Sequence, residues 1–362
     1  MPKAIAIRQI PGKPGQVYYP LEHVQLPTPQ PKEHEVVVRI TAAALNHRDL
    51  FLRQHLYPGT TFGVPLLADG SGVVVATGSG AEAQKWKGKK VVLNPGSGWK
   101  DDLEGPESAT GYAILGGTKM NPLGTLGETV TIAASELEEQ PTHLSAVEAA
   151  ALPLTGLTAW RAVMTKSGQA KPGRNLLITG IGGGVALMAL LFAAAAGANV
   201  FVSSGSEDKL AKAKALGAKG GVNYREKGWE KKLVGMLPEG RKYLDGIIDG
   251  AGGEIVGVGA KILRPGGVIV VYGMTTSPKM PYLMSAVLKN IDVRGSTMGS
   301  RKEFTDMVAF VRNKHLKPVV SRTVSGLDNL DGINSLFEDM KSGSQFGKLV
   351  IELVKENEVS KL

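Results

Sequence analysis

The sequence predicts an α/β protein of two domains, the first an antiparallel barrel of short strands and the second a doubly wound parallel sheet. Three observations lead there. The 362 residues exceed one typical domain and suffice for two apolar cores. Near Ser145 the pattern changes from short strands broken by Pro and Gly to regular strand and helix alternation. Within that alternation, a Gly-rich turn joins an unbroken apolar strand to an apolar helix.

Taken in order, strands are expected at 4–7, 36–40, 72–76 and 90–93, separated by turn-rich stretches such as Pro27-Thr28-Pro29-Gln30-Pro31. Residues 94–125 show no periodicity and read as one long loop. Ser145-Ala146-Val147-Glu148 has the form of a capping box and opens the alternating part. Strands follow at 175–179, 199–203, 221–224, 244–249, 267–272 and 292–295, with helices at 186–196, 207–216 and 255–263. Past Arg301 the alternation stops, leaving an amphipathic helix at 304–311 and a closing strand at 348–353. The expected domains are 1–142, 143–299, and 300–362 returning to the first.

Composition removes whole classes of function. With no cysteine, disulfides, thiolate nucleophiles and Cys-ligated zinc sites are all excluded. The N-terminus carries no secretory apolar region, and the longest apolar run, 185–198, is too short for a bilayer, so a cytoplasmic protein without a membrane partner is expected. The net charge of +9 suits an anionic ligand, from a dinucleotide phosphate to RNA, or is a plain basic surface with lysines spread along the chain. Lys85, Lys87, Lys89 and Lys90, around Trp86, form the densest patch. No motif for nucleic-acid recognition is present.

The turn Thr179-Gly180-Ile181-Gly182-Gly183-Gly184-Val185-Ala186 is a candidate dinucleotide site. Helix N–H groups and the helix dipole converge where glycines let a pyrophosphate approach. Gly182, Gly183, Gly184 and Val185 are its candidate contacts. The strict G-x-G-x-x-G spacing is not met, since Ile181 stands at the first glycine position counted back from Ala186. About twenty residues on, an NAD site places a carboxylate for the ribose 2′-OH. Here the second strand ends in Ser203-Ser204-Gly205-Ser206, with Lys209, Tyr224 and Arg225 nearby. Ser204, Lys209 and Tyr224 suit a 2′-phosphate, so NADPH is expected, while Glu207 and Asp208 leave NADH open.

The chain resembles the medium-chain dehydrogenase/reductase superfamily, and within it the zinc-free quinone oxidoreductase (zeta-crystallin)-like branch. The matching pieces include Ala44-Leu45-Asn46-His47-Arg48-Asp49-Leu50, Pro65-Leu66-Leu67-Ala68-Asp69-Gly70, Asp245-Gly246-Ile247-Ile248-Asp249, Arg264-Pro265-Gly266-Gly267 and Gly347-Lys348-Leu349-Val350. The resemblance implies a GroES-like catalytic domain beside a Rossmann domain. It also adds Thr158, Gly250, Tyr272 and Lys348 to the cofactor residues. Where zinc-dependent members carry a Cys ligand and a His-Glu pair, this sequence has Asn46 and Ala68-Asp69, so no metal is expected. His47, His55 and Asp69 do not have the spacing of a known zinc site.

Without a Lewis acid, acceptors that delocalise their own charge are favoured: an enone, enal or quinone, with hydrogen-bond donors at the developing oxyanion. By resemblance Asn46 and Tyr57 supply those donors, and Phe51 stands where related members have a further tyrosine. His47 is a candidate proton source or else a turn residue. The expected function is NADPH-dependent, zinc-independent reduction of an α,β-unsaturated carbonyl or quinone. A zinc-free alcohol dehydrogenase or carbonyl reductase and an NADPH-responsive RNA-binding protein are the alternatives. Relatives often dimerise by extending the sheet at its last strand, here 292–297, which makes a homodimer the expected partner state.

Overall fold

The computed structural model describes residues 1–277 and 279–355. It divides into two compact units, Met1–Leu154 with Ser300–Leu362, and Thr155–Gly299. The last seven residues of the closing segment, 356–362, lie outside the described residues.

In the first unit the strands run in the order Val320–Ser325, Lys348–Glu352, Glu35–Ala44, Asp69–Thr77, Lys90–Leu93 and Leu137–Glu139, with Thr129–Ala133 also paired to Glu35–Ala44. Glu35–Ala44 is central because eight of its ten residues are β-branched or alanine and the same eight are buried, so it packs on both faces. It is antiparallel to Lys348–Glu352 and to Asp69–Thr77, with Ala44 opposite both Val350 and Asp69. This register brings residues from three distant parts of the sequence to one end of the sheet.

Residues 143–154, which the sequence pattern assigns to the dinucleotide domain, pack with the first unit. The capping box forms: the Ser145 N–H donates to Glu148 Oε2 (2.8 Å) and the Glu148 N–H to Ser145 Oγ (3.2 Å). The helix it starts, Ala146–Ala150, buries Ala146 and Ala150 against Ala42, Ala44 and Val350. Alanines allow that close approach, and the start of a helix is here not the start of a domain.

The second unit is a six-stranded all-parallel sheet in the order Gly220–Asn223, Asn199–Ser204, Asn175–Ile178, Leu244–Asp249, Leu263–Val271, Asp292–Gly295. Numbered along the chain this is 3-2-1-4-5-6, the order of a doubly wound dinucleotide-binding sheet, with a switch point beyond the C-terminal ends of the first and fourth strands. Its core joins Leu177, Phe201, Val222, Ile247 and Ile269 from the strands to Leu233, Val256 and Ala260 from the helices.

Among the elements absent from the sequence reading are the strands Leu21–Gln25, Thr129–Ala133 and Val320–Ser325 and the helices Trp229–Met236 and Leu330–Ser342. The 94–125 segment holds only two-residue strands, Gly96–Ser97 and Ala113–Ile114, between long irregular stretches. Among the described residues no helix is long and apolar enough to cross a membrane.

Candidate active site and cofactor site

The strand register of the first unit builds a buried polar cluster from Asn46, Asp69 and Lys348. Asn46 follows the central strand by two residues, Asp69 opens the neighbouring strand, and Lys348 opens the strand on the other side. The Lys348 ammonium donates to Leu45 O (2.6 Å), Asn46 Oδ1 (2.7 Å) and Asp69 Oδ2 (2.7 Å). Asn46 Nδ2 donates to Asp69 Oδ2 (2.9 Å), and Asp69 Oδ1 accepts the Leu154 N–H (2.6 Å). Asp69 is fully buried, Lys348 is 4% exposed and Asn46 6% exposed. A buried ion pair needs this degree of hydrogen bonding to offset its desolvation.

Asn46 is also the N-cap of the helix His47–Arg53, where its N–H donates to Asp49 Oδ2 (2.8 Å). Asp49 is fully buried and pairs with Arg48 NH1 (3.1 Å), and Arg48 lies over the Tyr57 ring at 4.8 Å. Asp49 therefore positions its neighbours. Burial, opposed by Arg48 and the Asn46 N–H, pushes its carboxyl up to about 6. Between an unfolded value of about 4 and this folded value, the native state holds a proton that the unfolded chain has lost. Asp49 thus contributes stability below about pH 4 that is lost as pH rises to about 6. In urea titrations across that window, Asp49→Asn should flatten the fall in stability; an unchanged slope would remove Asp49 as its source.

His47, the first residue of the helix, reaches solvent, yet surrounding protein and then the Lys348 charge lower its pKa. Its ring is thus biased toward the neutral form near pH 7. Tyr57 is half-buried beneath Arg48. The three sequence candidates of this unit accordingly lie along one short helix, Asn46 capping its start, His47 opening it and Tyr57 following its end. The contact of Asn46 with Asp69 is not expected from the sequence.

The donors of this cluster are not disposed to hold zinc. Both Asp69 oxygens are occupied, and an ammonium sits on the carboxylate that a cation would need. His55 Nδ1 lies 2.5 Å from the Tyr19 hydroxyl. Among the described residues no group of three or more His, Asp or Glu side chains is placed to hold a metal ion. The residues do not fit zinc.

In the second unit the Gly-rich turn lies at the switch point. The Ile181 N–H donates to Ser203 O and Gly183 caps the helix Gly184–Ala195, whose first N–H groups, including that of Val185, have no partner within the helix. Gly182 has φ +133°, and an added Cβ would meet Lys209 Cδ at 2.9 Å, so the lysine stem lies along the turn. An added Cβ at Gly205 would meet Arg225 Nε at 2.7 Å and Tyr224 Oη at 3.0 Å. Ser204 Oγ accepts the Ser206 N–H at 3.2 Å in the same place. Partial burial, then the charge of Lys212, lowers the Lys209 pKa, a cost that a bound anion would relieve. The nearby carboxylates are engaged locally, Glu207 with Asn223 Nδ2 (3.1 Å) and Asp208 with Lys212 (2.7 Å).

Gly250 and Tyr272 lie together, since a Cβ on Gly250 would meet Tyr272 Oη at 2.6 Å. Asp249, not among the sequence candidates, is fully buried beside them and takes the Thr179 hydroxyl (2.5 Å) and the Gly252 N–H (2.7 Å). Burial raises its pKa, and that of Tyr272. The signal for Asp249 was a carboxylate at the C-terminal end of an apolar parallel strand. Thr158, on Pro153–Trp160, is buried with Oγ1 3.7 Å from Met298 Sδ. Lys348, grouped with the cofactor by resemblance, lies in the Asn46 cluster with three acceptors on its ammonium.

Residues 32–142 match the family model of the alcohol dehydrogenase GroES-like domain and residues 184–313 that of the zinc-binding dehydrogenase. Over 358 residues the chain is 52% identical to a zinc-type alcohol dehydrogenase-like protein of Leptosphaeria maculans, covering 98% of this chain and 100% of that protein. It belongs to the medium-chain dehydrogenase/reductase superfamily. A zinc-type alcohol dehydrogenase-like protein of Schizosaccharomyces pombe is 33% identical over 328 residues, 88% of this chain and 91% of that one. A crystal structure described as an NAD-dependent alcohol dehydrogenase superposes with a TM-score of 0.83 at 34% identity, covering 97% of this chain and 99% of that one. This superfamily member is therefore an oxidoreductase that joins a GroES-like domain to a Rossmann-like parallel sheet.

Proposed function

We propose that the protein is an NADPH-dependent, zinc-independent reductase that transfers hydride to an α,β-unsaturated carbonyl or a quinone. The observation that carries this reading is the Lys348 ammonium on Asn46, which stands where zinc-dependent members carry a Cys ligand, and on Asp69, which stands at the second place of their His-Glu pair. The cluster offers hydrogen-bond donors and no open metal site, which suits acceptors that delocalise charge into an enolate or hydroquinone oxygen. NADPH supplies the hydride when bound.

Asn46 and Tyr57 donate hydrogen bonds to the oxygen of the acceptor, and His47, with its neutral ring, relays a proton from water. The dinucleotide pyrophosphate is held by Gly182, Gly183, Gly184 and Val185 at the helix N-terminus. Ser204, Lys209, Tyr224 and Arg225 take the 2′-phosphate. Thr158, Gly250 and Tyr272 line the same cofactor site.

The test is steady-state oxidation of NADPH and of NADH against enals, enones, quinones, simple aldehydes and alcohols, with and without chelator. Turnover of enones or quinones with NADPH, indifferent to chelator, is the expected result. The crystal structure described as an NAD-dependent alcohol dehydrogenase favours a second reading, alcohol oxidation with NAD. Activity confined to alcohols and simple aldehydes would decide for it, and loss with chelator would end the zinc-independent reading.

Removing the guanidinium and ammonium at Gly205 and Gly182 sharpens the cofactor part. Lys209→Ala with Arg225→Ala should raise the Kd for NADPH at least about tenfold, one charged hydrogen bond's worth, and leave that for NADH within about twofold. Equal losses for both nucleotides would mean that these side chains do not meet the 2′-phosphate. RNA binding is less favoured by the densest lysine patch, where Lys85 pairs with Glu82 and Lys89 with Glu139.

A homodimer is part of the reading. The strand Asp292–Gly295 ends the parallel sheet, and beside it Tyr282, Met284, Val287 and Leu288 are exposed, Leu288 at 78%. An unpaired edge next to apolar side chains favours a second copy of the chain. Sedimentation equilibrium should give a dimer that Leu288→Asp weakens, and a monomer at micromolar concentration would count against it.

A further inference from the structure

We propose that Lys348 is a positioning residue for hydride transfer, which fixes the direction of the Asn46 amide rather than holding the cofactor. The proposal rests on the reading above that Asn46 donates a hydrogen bond to the acceptor's oxygen.

The argument is a count of donors and acceptors. An ammonium has three N–H groups and no lone pair. Those of Lys348 have acceptors at Leu45 O, Asn46 Oδ1 and Asp69 Oδ2, all within 2.7 Å. None is left for a cofactor phosphate. A primary amide has one oxygen and two N–H groups, so a side chain in this position can turn either its carbonyl or its amino group outward. In Asn46 the oxygen faces the ammonium and one N–H faces the carboxylate of Asp69. Turning the amide over would set N–H groups against the ammonium and the amide oxygen against the carboxylate, two repulsive contacts in a buried place. The Lys348–Asp69 pair therefore admits one orientation, and in it the remaining group of Asn46 is the second Nδ2–H. A positive charge on Oδ1 also draws electron density through the amide, which makes that N–H a better donor.

The strand register explains why this pair can hold an amide so firmly. Asn46 is tied by its own N–H to Asp49, while Lys348 and Asp69 begin the two strands that flank the strand Asn46 leaves. The three side chains are thus anchored on paired backbone, which a loop would not provide.

The test is a double-mutant cycle with Asn46→Ala and Lys348→Met, measuring kcat at saturating NADPH on an enone and, by nucleotide fluorescence, the Kd for NADPH. If Lys348 acts through Asn46, Lys348→Met lowers kcat on the order of tenfold to a hundredfold, and the double variant is no slower than Asn46→Ala alone. The Kd for NADPH stays within about twofold of the parent. Additive losses in the cycle, or a Kd that rises while kcat holds, would overturn the proposal and return Lys348 to the cofactor. Should Lys348→Met fail to fold, Asp69→Asn with Lys348→Met removes both buried charges and serves in its place, compared with the same pair carrying Asn46→Ala. If Asn46→Ala itself leaves kcat unchanged, the parent reading of Asn46 has failed. If Asn46→Ala slows the enzyme and Lys348→Met does not, only the positioning role has.

Discussion

Asn46→Ala is expected to lower kcat for enone reduction by about a hundredfold, the usual cost of one lost donor to a developing oxyanion. The Kd for NADPH should not move, because Asn46 belongs to the first unit and the Gly-rich turn to the second. The variant should fold, at a cost of about 1 to 3 kcal/mol for the Lys348 N–H that loses Asn46 Oδ1, since the Lys348–Asp69 contact at 2.7 Å remains. Quinones should suffer less than enones, because aromatisation carries part of the driving force and the oxygen needs less help. The measurement is kcat and KM for both acceptor classes at saturating NADPH. A change below about threefold for both would remove Asn46 from the chemistry and leave Tyr57 as the donor to test.

The sequence made the parallel sheet easy to read and the first unit harder, for a physical reason. The strand Asn175–Ile178 is buried on both faces and stands out as an apolar run bounded by turn residues. Val320–Ser325 is an edge strand with most residues exposed, and its sequence Val-Ser-Arg-Thr-Val-Ser carries no such run. The helix Trp229–Met236 buries only Leu233 fully, so its period is faint. The capping box at Ser145 marks a helix and not a boundary, so the second unit begins at Thr155, later than the sequence pattern implies. In the candidate site, Asn46 and Lys348 were each legible as residues. Their contact was not, because they lie 302 positions apart and meet only through two strand registers on Glu35–Ala44. Asp249 shows the same limit: it lies within a recognised motif, but its pairing with Thr179 depends on how adjacent strands end.

Asp69→Ala should be among the most destabilising single substitutions in the protein, lowering the free energy of unfolding by about 3 to 5 kcal/mol. The carboxylate is wholly buried and, among the described residues, is the only negative charge bonded to the Lys348 ammonium. Alanine would leave that ammonium, itself 4% exposed, with two neutral acceptors, and the Leu154 N–H with none from Asp69. Urea unfolding of the parent and the variant measures the difference; a loss under about 1 kcal/mol would mean that the ammonium finds water or another partner. Asp69→Asn with Lys348→Met should recover most of the loss. No charge then stays buried, methionine fills much of the lysine's volume, and the new amide oxygen can still accept the Leu154 N–H. That pair separates the two consequences of the cluster. Stability needs only that the buried charges cancel or are absent, whereas the orientation of Asn46 needs both charges present, so the recovered protein should fold as well as its parent and still reduce enones slowly.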